Sequence, residues 1–310
     1  MKILFMGTPD FAIPSLVKLH ERSHHVVGVV TAPDKPVGRG LKVKFTPVKN
    51  AARALNLPVY QPKNLNDSEF IETLRKTGSE LFVVVAFRIL PEHIFEIPAK
   101  GTINLHASLL PKYRGAAPIN WALINGESET GVTTIFIQEK VDTGDILLQK
   151  KVPITPEDNC QTLHDKLAEI GAEILLQTVE QIQNGTYRRI QQTGPATRAP
   201  KLTKELARIH WHEPNFKIHN LVRGLSPVPA AHTFFNGKLI KILKSQISTF
   251  NSSAGTPGEI VYVNKKQGQL IVSTGSGFLE ILELQPAGKK SMTASAYLAG
   301  HKLQEGERFE

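Results

Sequence analysis

Two polar residues, Asn104 and His106, close an apolar run in the segment INLHASLLPKYRG. Residues two apart in a strand point to the same side, so the amide and the imidazole face one site. Such a pair can donate hydrogen bonds to an oxyanion of the kind that forms in acyl transfer. A histidine used in this way needs a third group that orients its ring or takes a proton.

The acidic segment VDTGD at residues 141–145 offers that third group. It stands between two apolar, strand-like runs, where an acidic loop has little structural purpose. Either Asp142 or Asp145 could orient His106 or accept a proton. The alternative is that the carboxylates serve the turn itself, a role that suits Asp145 better than Asp142.

Other common catalytic motifs are absent from the sequence. The turn MGTPDF lacks the second and third glycines of a dinucleotide fingerprint, and the chain has neither G-K-[ST] nor G-x-S-x-G. We therefore expect MGTPDF to be a tight strand-to-helix turn. His24-His25 and His210-x-His212 have no cysteine or carboxylate at ligand spacing, so we expect surface histidines and no metal site.

The first 140 residues alternate between short apolar runs and helix-like segments. The runs KILFMG, HVVGVVT, LFVVVAF and GTINLH lack polar alternation, which is typical of strands buried on both faces. Helices are predicted at residues 11–22, 47–55, 67–77 and 118–124, and further strands at 133–137 and 146–152. This order predicts an α/β fold with a doubly wound, mostly parallel sheet. Ligands of such sheets bind beyond the carboxyl ends of the strands, where Asn104 and His106 lie.

The pattern changes in the second half of the chain. A helix is predicted at residues 162–184. Residues 188–205 combine proline, glycine and basic residues without periodicity, which predicts a basic linker. A short helix at 216–223 and several short strands separated by turns follow, which indicates a small OB-like β-barrel. The sequence thus predicts a catalytic domain at 1–187, the linker, and a C-terminal domain at 206–310.

The chain has 310 residues, a net charge of +9 and one cysteine, Cys160. Residues 1–187 hold 20 basic and 20 acidic residues, so the whole excess of charge lies beyond them. A second basic cluster with a single acidic residue spans residues 34–49. Such segments suit a polyanion such as nucleic acid, the alternative being a merely solvated basic surface. With one cysteine and no apolar run near the ~20 residues of a membrane span, we expect a cytoplasmic protein.

The segment INLHASLLPKYRGAAPINWALINGESETGVT, followed by VDTGDIL, closely resembles the folate-dependent formyltransferases. The resemblance implies a Rossmann-like domain that transfers the formyl group of 10-formyltetrahydrofolate to an amine without a metal. It implies catalytic roles for Asn104, His106 and Asp142. The folate-binding residues that it implies are Phe87, Arg88, Ile89, Leu90, Ser108, Leu109, Leu110, Pro111 and Val141. The chain departs from many relatives at residues 86–91, where it lacks a glycine-containing segment.

Three further features resemble the branch of this family whose acceptor is methionyl-initiator-tRNA. They are GTPDFAIPSL, the basic loop TAPDKPVGRG, and ELQPAGKKSM placed after a linker that ends in LTKELARIHW. They imply formylation of the α-amine of methionyl-tRNA for translation initiation by a protein that needs no partner subunit. The tRNA contacts expected are Lys35, Arg39, Lys42, Lys201, Lys204, Lys289 and Lys290. A formyltransferase acting on a sugar nucleotide or another small amine, and a folate-gated RNA-binding protein without catalysis, are the alternatives.

Overall fold

The computed structural model describes residues 1–22, 24–37, 42–250 and 255–310. These residues form two compact units. The first comprises residues 1–118, 129–153 and 164–199, and the second comprises residues 119–128, 154–163 and 200–310. No helix within the described ranges combines the length and the apolar character needed to cross a membrane.

Up to residue 199 the chain forms eleven named strands and six α-helices within the described ranges. The strands are β1 (Lys2–Gly7), β2 (His25–Val30), β3 (Lys35–Val37), β4 (Lys42–Lys44), β5 (Val59–Tyr60), β6 (Leu81–Val85), β7 (Thr102–His106), β8 (Arg114–Gly115), β9 (Glu129–Phe136), β10 (Ile146–Pro153) and β11 (Arg198–Ala199). The helices are α1 (Ile13–Glu21), α2 (Pro47–Ala54), α3 (Ser68–Lys76), α4 (Glu92–Phe95), α5 (Pro118–Ile124) and α6 (Cys160–Asn184).

A seven-stranded sheet forms the centre of the first unit, in the order β10-β9-β7-β6-β1-β2-β5. The five strands from β7 to β5 are parallel, whereas β9 and β10 are antiparallel at one edge. Strands β1 and β6 are buried at nearly every position, as their unbroken apolar sequences predict. The strand order reverses between β1 and β6, which opens a crevice at the carboxyl ends of the strands. The predicted doubly wound, mostly parallel α/β fold is confirmed.

Most predicted elements of the first unit are present with shifted ends. The helix predicted at residues 11–22 is a 3-10 turn, Asp10–Ala12, that continues into α1. The helix predicted at 162–184 begins two residues earlier, at Cys160, and ends at Asn184 as expected. Two pairings were not predicted. These are the antiparallel hairpin of β3 and β4, and a two-stranded parallel sheet of β8 and β11.

The second unit contains a six-stranded antiparallel sheet. Its elements are α7 (Asn215–Leu225), β12 (Ala231–Phe235), β13 (Lys238–Ser248), β14 (Ile260–Asn264), β15 (Gln269–Ser273), β16 (Phe278–Pro286), β17 (Met292–Thr293) and α8 (Ala294–Gly300). Trp211 is buried in its core, and its indole N–H donates to Thr233 Oγ1 over 2.9 Å. The small β domain expected in the C-terminal third is confirmed.

Candidate active site

A cavity of about 110 Å³ lies where β6 and β7 end, and Asn104 forms part of its wall. Asn104 lies on β7 between two neighbouring strands, in register with Val84 of β6 and Ile135 of β9. The cavity is lined by Val84, Phe87, Arg88, Ile89, Leu90, Asn104, Ile135, Ile137, Gln138, Glu139, Val141 and Asp142. Seven of the residues predicted to bind folate or act in catalysis are thus brought together in one wall.

The side-chain amide of Asn104 has no hydrogen-bond partner among the described residues. The residue is half-buried and faces the cavity. An amide carries two N–H donors and one acceptor, and a half-buried amide is normally hydrogen-bonded. Its free donors are therefore available to a ligand, as a group that stabilises an oxyanion must be.

His106 is 6% exposed and lies outside the lining of the cavity. Its Nε2 is 2.9 Å from the carbonyl oxygen of Tyr113, and because a carbonyl only accepts, Nε2 donates. Its Nδ1 is 3.7 Å from Oδ2 of Asp142. Both ring nitrogens therefore face protein oxygens. Direct donation from His106 to a substrate oxyanion stays a prediction, whereas contact with Asp142 is observed.

Asp142, rather than Asp145, is the carboxylate beside His106. Its side chain is 10% exposed, and its Oδ2 accepts a hydrogen bond of 2.8 Å from the N–H of Gly115. The backbone of Asp142 is left-handed, with φ of +56°, a conformation that a non-glycine residue adopts at a cost. Asp145 contributes its backbone oxygen to the N–H of Phe136. Of the two carboxylates considered in the VDTGD segment, Asp142 is the one that lies beside His106, and its catalytic role stays a prediction.

Part of the cavity lining is apolar and unusually exposed. Ile89 is 73% exposed and Val141 is 46% exposed, although both are large hydrophobic residues. The guanidinium of Arg88 lies 5.2 Å from the ring of Phe87 and donates to the carbonyl oxygens of Pro62 and Lys63. Burial lowers the pKa of Arg88, and its Nε has no partner among the described residues. Such a surface suits a flat ligand that has both apolar and hydrogen-bonding edges.

The turn Ser108–Pro111 lies outside the lining of this cavity. Ser108 is fully buried, and its hydroxyl donates to the backbone oxygen of Lys112 over 2.6 Å. Thr133 on β9 holds the same turn, since its hydroxyl donates to the oxygen of Ser108 and accepts from the N–H of Leu110. The structure assigns this turn a role in holding the loop after β7, and its contact with folate stays a prediction.

Reasoning from the sequence missed several residues of the cavity wall. Ile137, Gln138 and Glu139 precede the VDTGD segment and line the cavity. Their proximity to Asp142 in the chain was the available signal. Gln192 was not predicted either. It lies in the predicted linker and donates hydrogen bonds to the backbone oxygens of Asp142 and Gly144. The domain boundaries predicted at 188 and 206 stay predictions.

The basic residues expected to bind tRNA lie in both units. Lys35 on β3 is exposed, Lys42 begins β4, and Arg39 lies outside the described residues. In the second unit four lysines are exposed, namely Lys201, Lys204, Lys289 and Lys290. Lys49 is instead paired with Asp34, and the hydrogen bond from Gln61, followed by that from Lys49, lowers the pKa of Asp34. Within the described ranges no three metal-binding side chains cluster closely enough to hold an ion.

Two family models match the chain. Residues 1–179 match the formyl transferase family, and residues 201–302 match the formyl transferase C-terminal domain. This chain belongs to the formyltransferase family. The first match contains Asn104, His106 and Asp142, and the second contains all four exposed lysines named above.

Relatives within the family are similar over the whole chain. The methionyl-tRNA formyltransferase of Caldanaerobacter subterraneus is 47% identical over 99% of this chain and 99% of its own length. That of Thermodesulfovibrio yellowstonii is 48% identical over 98% of this chain and 97% of its own length. A crystal structure of the Helicobacter canadensis N-formyltransferase with folinic acid and dTDP-3-aminofucose superposes with a TM-score of 0.68. It is 21% identical and covers 92% of this chain and 99% of its own, which supports the fold alone.

Proposed function

We propose that this chain transfers the formyl group of 10-formyltetrahydrofolate to the α-amine of methionyl-initiator-tRNA. The observation that carries the chemistry is that the free amide of Asn104 and the carboxylate-bearing Asp142 line the same cavity. The choice of acceptor is supported by full-length similarity, at 47% and 48% identity, to two methionyl-tRNA formyltransferases. The product is formylmethionyl-tRNA, which serves translation initiation.

Formyl transfer forms one carbon–nitrogen bond and breaks another. The nitrogen of the amine attacks the formyl carbon carried on N10 of the folate, and negative charge develops on the formyl oxygen. Asn104 donates to that oxygen, since its N–H groups are free and face the cavity. The attacking amine loses a proton, which Asp142 takes and returns to N10 as that nitrogen leaves. Because the amine must be neutral to attack, turnover should rise toward neutral and mildly alkaline pH.

His106 acts through Asp142 in this scheme. The imidazole presents Nδ1 to the carboxylate at 3.7 Å and is held by the carbonyl of Tyr113 on its other side. A ring placed in this way orients the carboxyl group that takes the proton from the amine and returns it to N10. The exposed apolar residues Ile89 and Val141, with the stacked pair Phe87 and Arg88, suit the flat ring system of the folate.

The tRNA is proposed to contact the basic residues outside the cavity. Lys201, Lys204, Lys289 and Lys290 are exposed, as is Lys35. Phosphate contacts of this kind supply affinity that falls steeply with salt. A sugar nucleotide or another small amine would have no use for four exposed lysines outside the catalytic unit, which is why we prefer tRNA. We also propose that the enzyme works as a cytoplasmic monomer.

Formylation of three acceptors by the purified protein tests this proposal. Each reaction contains 10-formyltetrahydrofolate with initiator methionyl-tRNA, free methionine or an amino-sugar nucleotide. We expect efficient turnover with the tRNA alone and a rate that declines as salt increases. Comparable formylation of free methionine would refute the tRNA assignment. Preferred formylation of the amino sugar would favour the alternative acceptor, and no formylation of any acceptor would favour binding without catalysis.

A further inference from the structure

Gln192 joins two loops of the first unit through every hydrogen-bonding group of its side chain. Its Nε2 donates to the backbone oxygens of Asp142, at 2.9 Å, and Gly144, at 2.8 Å. Its Oε1 accepts from Arg114, at 2.6 Å from Nη2 and 3.2 Å from Nε. Carbonyl oxygens only accept and a guanidinium only donates, so these partners fix the orientation of the amide.

The turn that Gln192 contacts has a backbone conformation that needs support from neighbouring residues. Asp142 has a φ of +56°, which persists only where surrounding contacts enforce it. Gly144 packs so closely against β9 that a Cβ atom there would lie 1.7 Å from the backbone oxygen of Phe136. The two hydrogen bonds from Gln192 fall on the peptides at either end of this strained turn. They therefore bear directly on where the carboxylate of Asp142 points.

Gln192 belongs to the segment 190–199, which we call the strap. Another residue of the strap, Thr197, holds the loop that contains Tyr113. The N–H of Tyr113 donates to Oγ1 of Thr197 over 2.8 Å. The N–H of Arg114 donates to the backbone oxygen of Thr197 over 2.9 Å. That loop supplies the carbonyl of Tyr113 to His106. It also supplies the N–H of Gly115 to the Asp142 carboxylate. The strap thus contacts both sides of the His–Asp pair without touching the cavity.

We infer that Gln192 is a positioning residue for formyl transfer, and this inference rests on the proposed function. It holds the backbone of Asp142 through its amide and is itself anchored by Arg114. The carboxylate is then kept between the N–H of Gly115 and Nδ1 of His106, at the edge of the cavity. Gln192 is not among the residues that line the cavity. It therefore acts on turnover through Asp142, while leaving the binding of folate and tRNA almost unchanged.

The kinetic test compares Gln192→Ala with Gln191→Ala, the exposed neighbour in the same segment. Misplacing a catalytic group by about 1 Å costs up to about 10²-fold in rate. We expect Gln192→Ala to lower kcat by about 10- to 100-fold, with each KM changed by less than about threefold. Gln192→Glu keeps an acceptor for Arg114 but lacks the amide donors, so it should lose as much. Gln191→Ala should match the wild type. A loss confined to KM, or an equal loss in Gln191→Ala, would overturn the inference.

A double-mutant cycle separates positioning from general support of the fold. Gln192→Ala is combined with Asp142→Asn, and single-turnover rates are measured with enzyme in excess. If Gln192 acts through the carboxylate, its replacement should cost less than about threefold once that carboxylate is gone. Additive losses would show that Gln192 serves the structure in some other way and would refute the assignment.

Hydrogen–deuterium exchange tests the same inference without any substrate. The N–H of Gly115 is protected by the carboxylate of Asp142. Peptides covering residues 113–117 and 141–145 should exchange at least about tenfold faster in Gln192→Ala and unchanged in Gln191→Ala. Unchanged exchange in both peptides would refute the positioning role even if the protein formylated a different acceptor. If the variants show this exchange pattern but the wild-type protein formylates no acceptor, the proposed function is refuted and the positioning of Asp142 by Gln192 is not.

Discussion

Replacement of Asn104 by alanine should reduce turnover without unfolding the protein. The amide faces the cavity and has no hydrogen-bond partner among the described residues, so its removal leaves no internal donor or acceptor unpaired. The free energy of unfolding should change by less than about 1 kcal/mol, which corresponds to a Tm shift of at most about 4 °C. Loss of one oxyanion donor typically costs about 10²–10³ in kcat, or roughly 2.7–4 kcal/mol of transition-state stabilisation. That full loss is expected here because His106 is engaged elsewhere.

The assay measures kcat and KM for both substrates, with melting curves of each variant as the control for folding. Asn104→Asp is the matched variant, because it keeps the shape of the side chain but replaces the N–H donors with an acceptor. It should be at least as impaired as Asn104→Ala. An Asn104→Ala kcat within about fivefold of the wild type would refute the donor role. Better activity in Asn104→Asp than in Asn104→Ala would show that volume, rather than donation, matters at this position.

Three further outcomes are expected. Gly144→Ala should abolish turnover and lower Tm, because the added Cβ meets a backbone oxygen at 1.7 Å; retention of half the activity in a steady-state assay would contradict this. Burial, followed by the charge of Arg223, lowers the pKa of His219 below its ordinary value of 6.5. Below pH 6.5 the unfolded state therefore binds more protons than the folded state, and the free energy of unfolding falls as the pH drops. Melting curves at pH 7.5 and 5.5 should therefore show a smaller drop in Tm for His219→Gln than for the wild type, and an equal drop would oppose this reasoning. Replacing both lysines at 289–290 with alanine should raise the KM for tRNA and reduce the salt slope by up to about 2, with the KM for folate unchanged; an equal effect from alanines at 265–266 would indicate diffuse charge.

The main features of the fold, and the placement of Asn104 and His106 on one strand, could be predicted because they depend on local pattern. The apolar run that ends in Asn104 and His106 is a buried parallel strand, and period two alone puts both residues on one face. The excess of positive charge beyond residue 187 is likewise a property of the sequence by itself. Asp142 could be favoured over Asp145 because the turn role suited Asp145 better, but its position beside His106 could not be predicted from composition alone.

The remaining features depend on contacts between distant segments. The hydrogen bond from Gln192 to the backbone oxygen of Asp142 spans 50 positions, and no local pattern in the basic segment indicates it. That Nε2 of His106 is engaged follows from the path of the loop around Tyr113, whose φ is +60°. Only the register of the sheet shows that Ile135 neighbours Asn104. The direction in which each side chain points depends on the assembled sheet, which is why the sequence did not indicate it.

The strap has a consequence for how members of this family can be recombined. A chimera joined at residue 188 would combine the catalytic loops with a foreign strap and lose the native partners of Tyr113 and Asp142. Joining the two parts after Ala199 would keep both sets of hydrogen bonds in one parent. The residues that hold the loops of the candidate active site thus extend beyond residue 179, where the match to the formyl transferase family model ends. A chimera with exchanged C-terminal parts should keep its turnover only with the later junction.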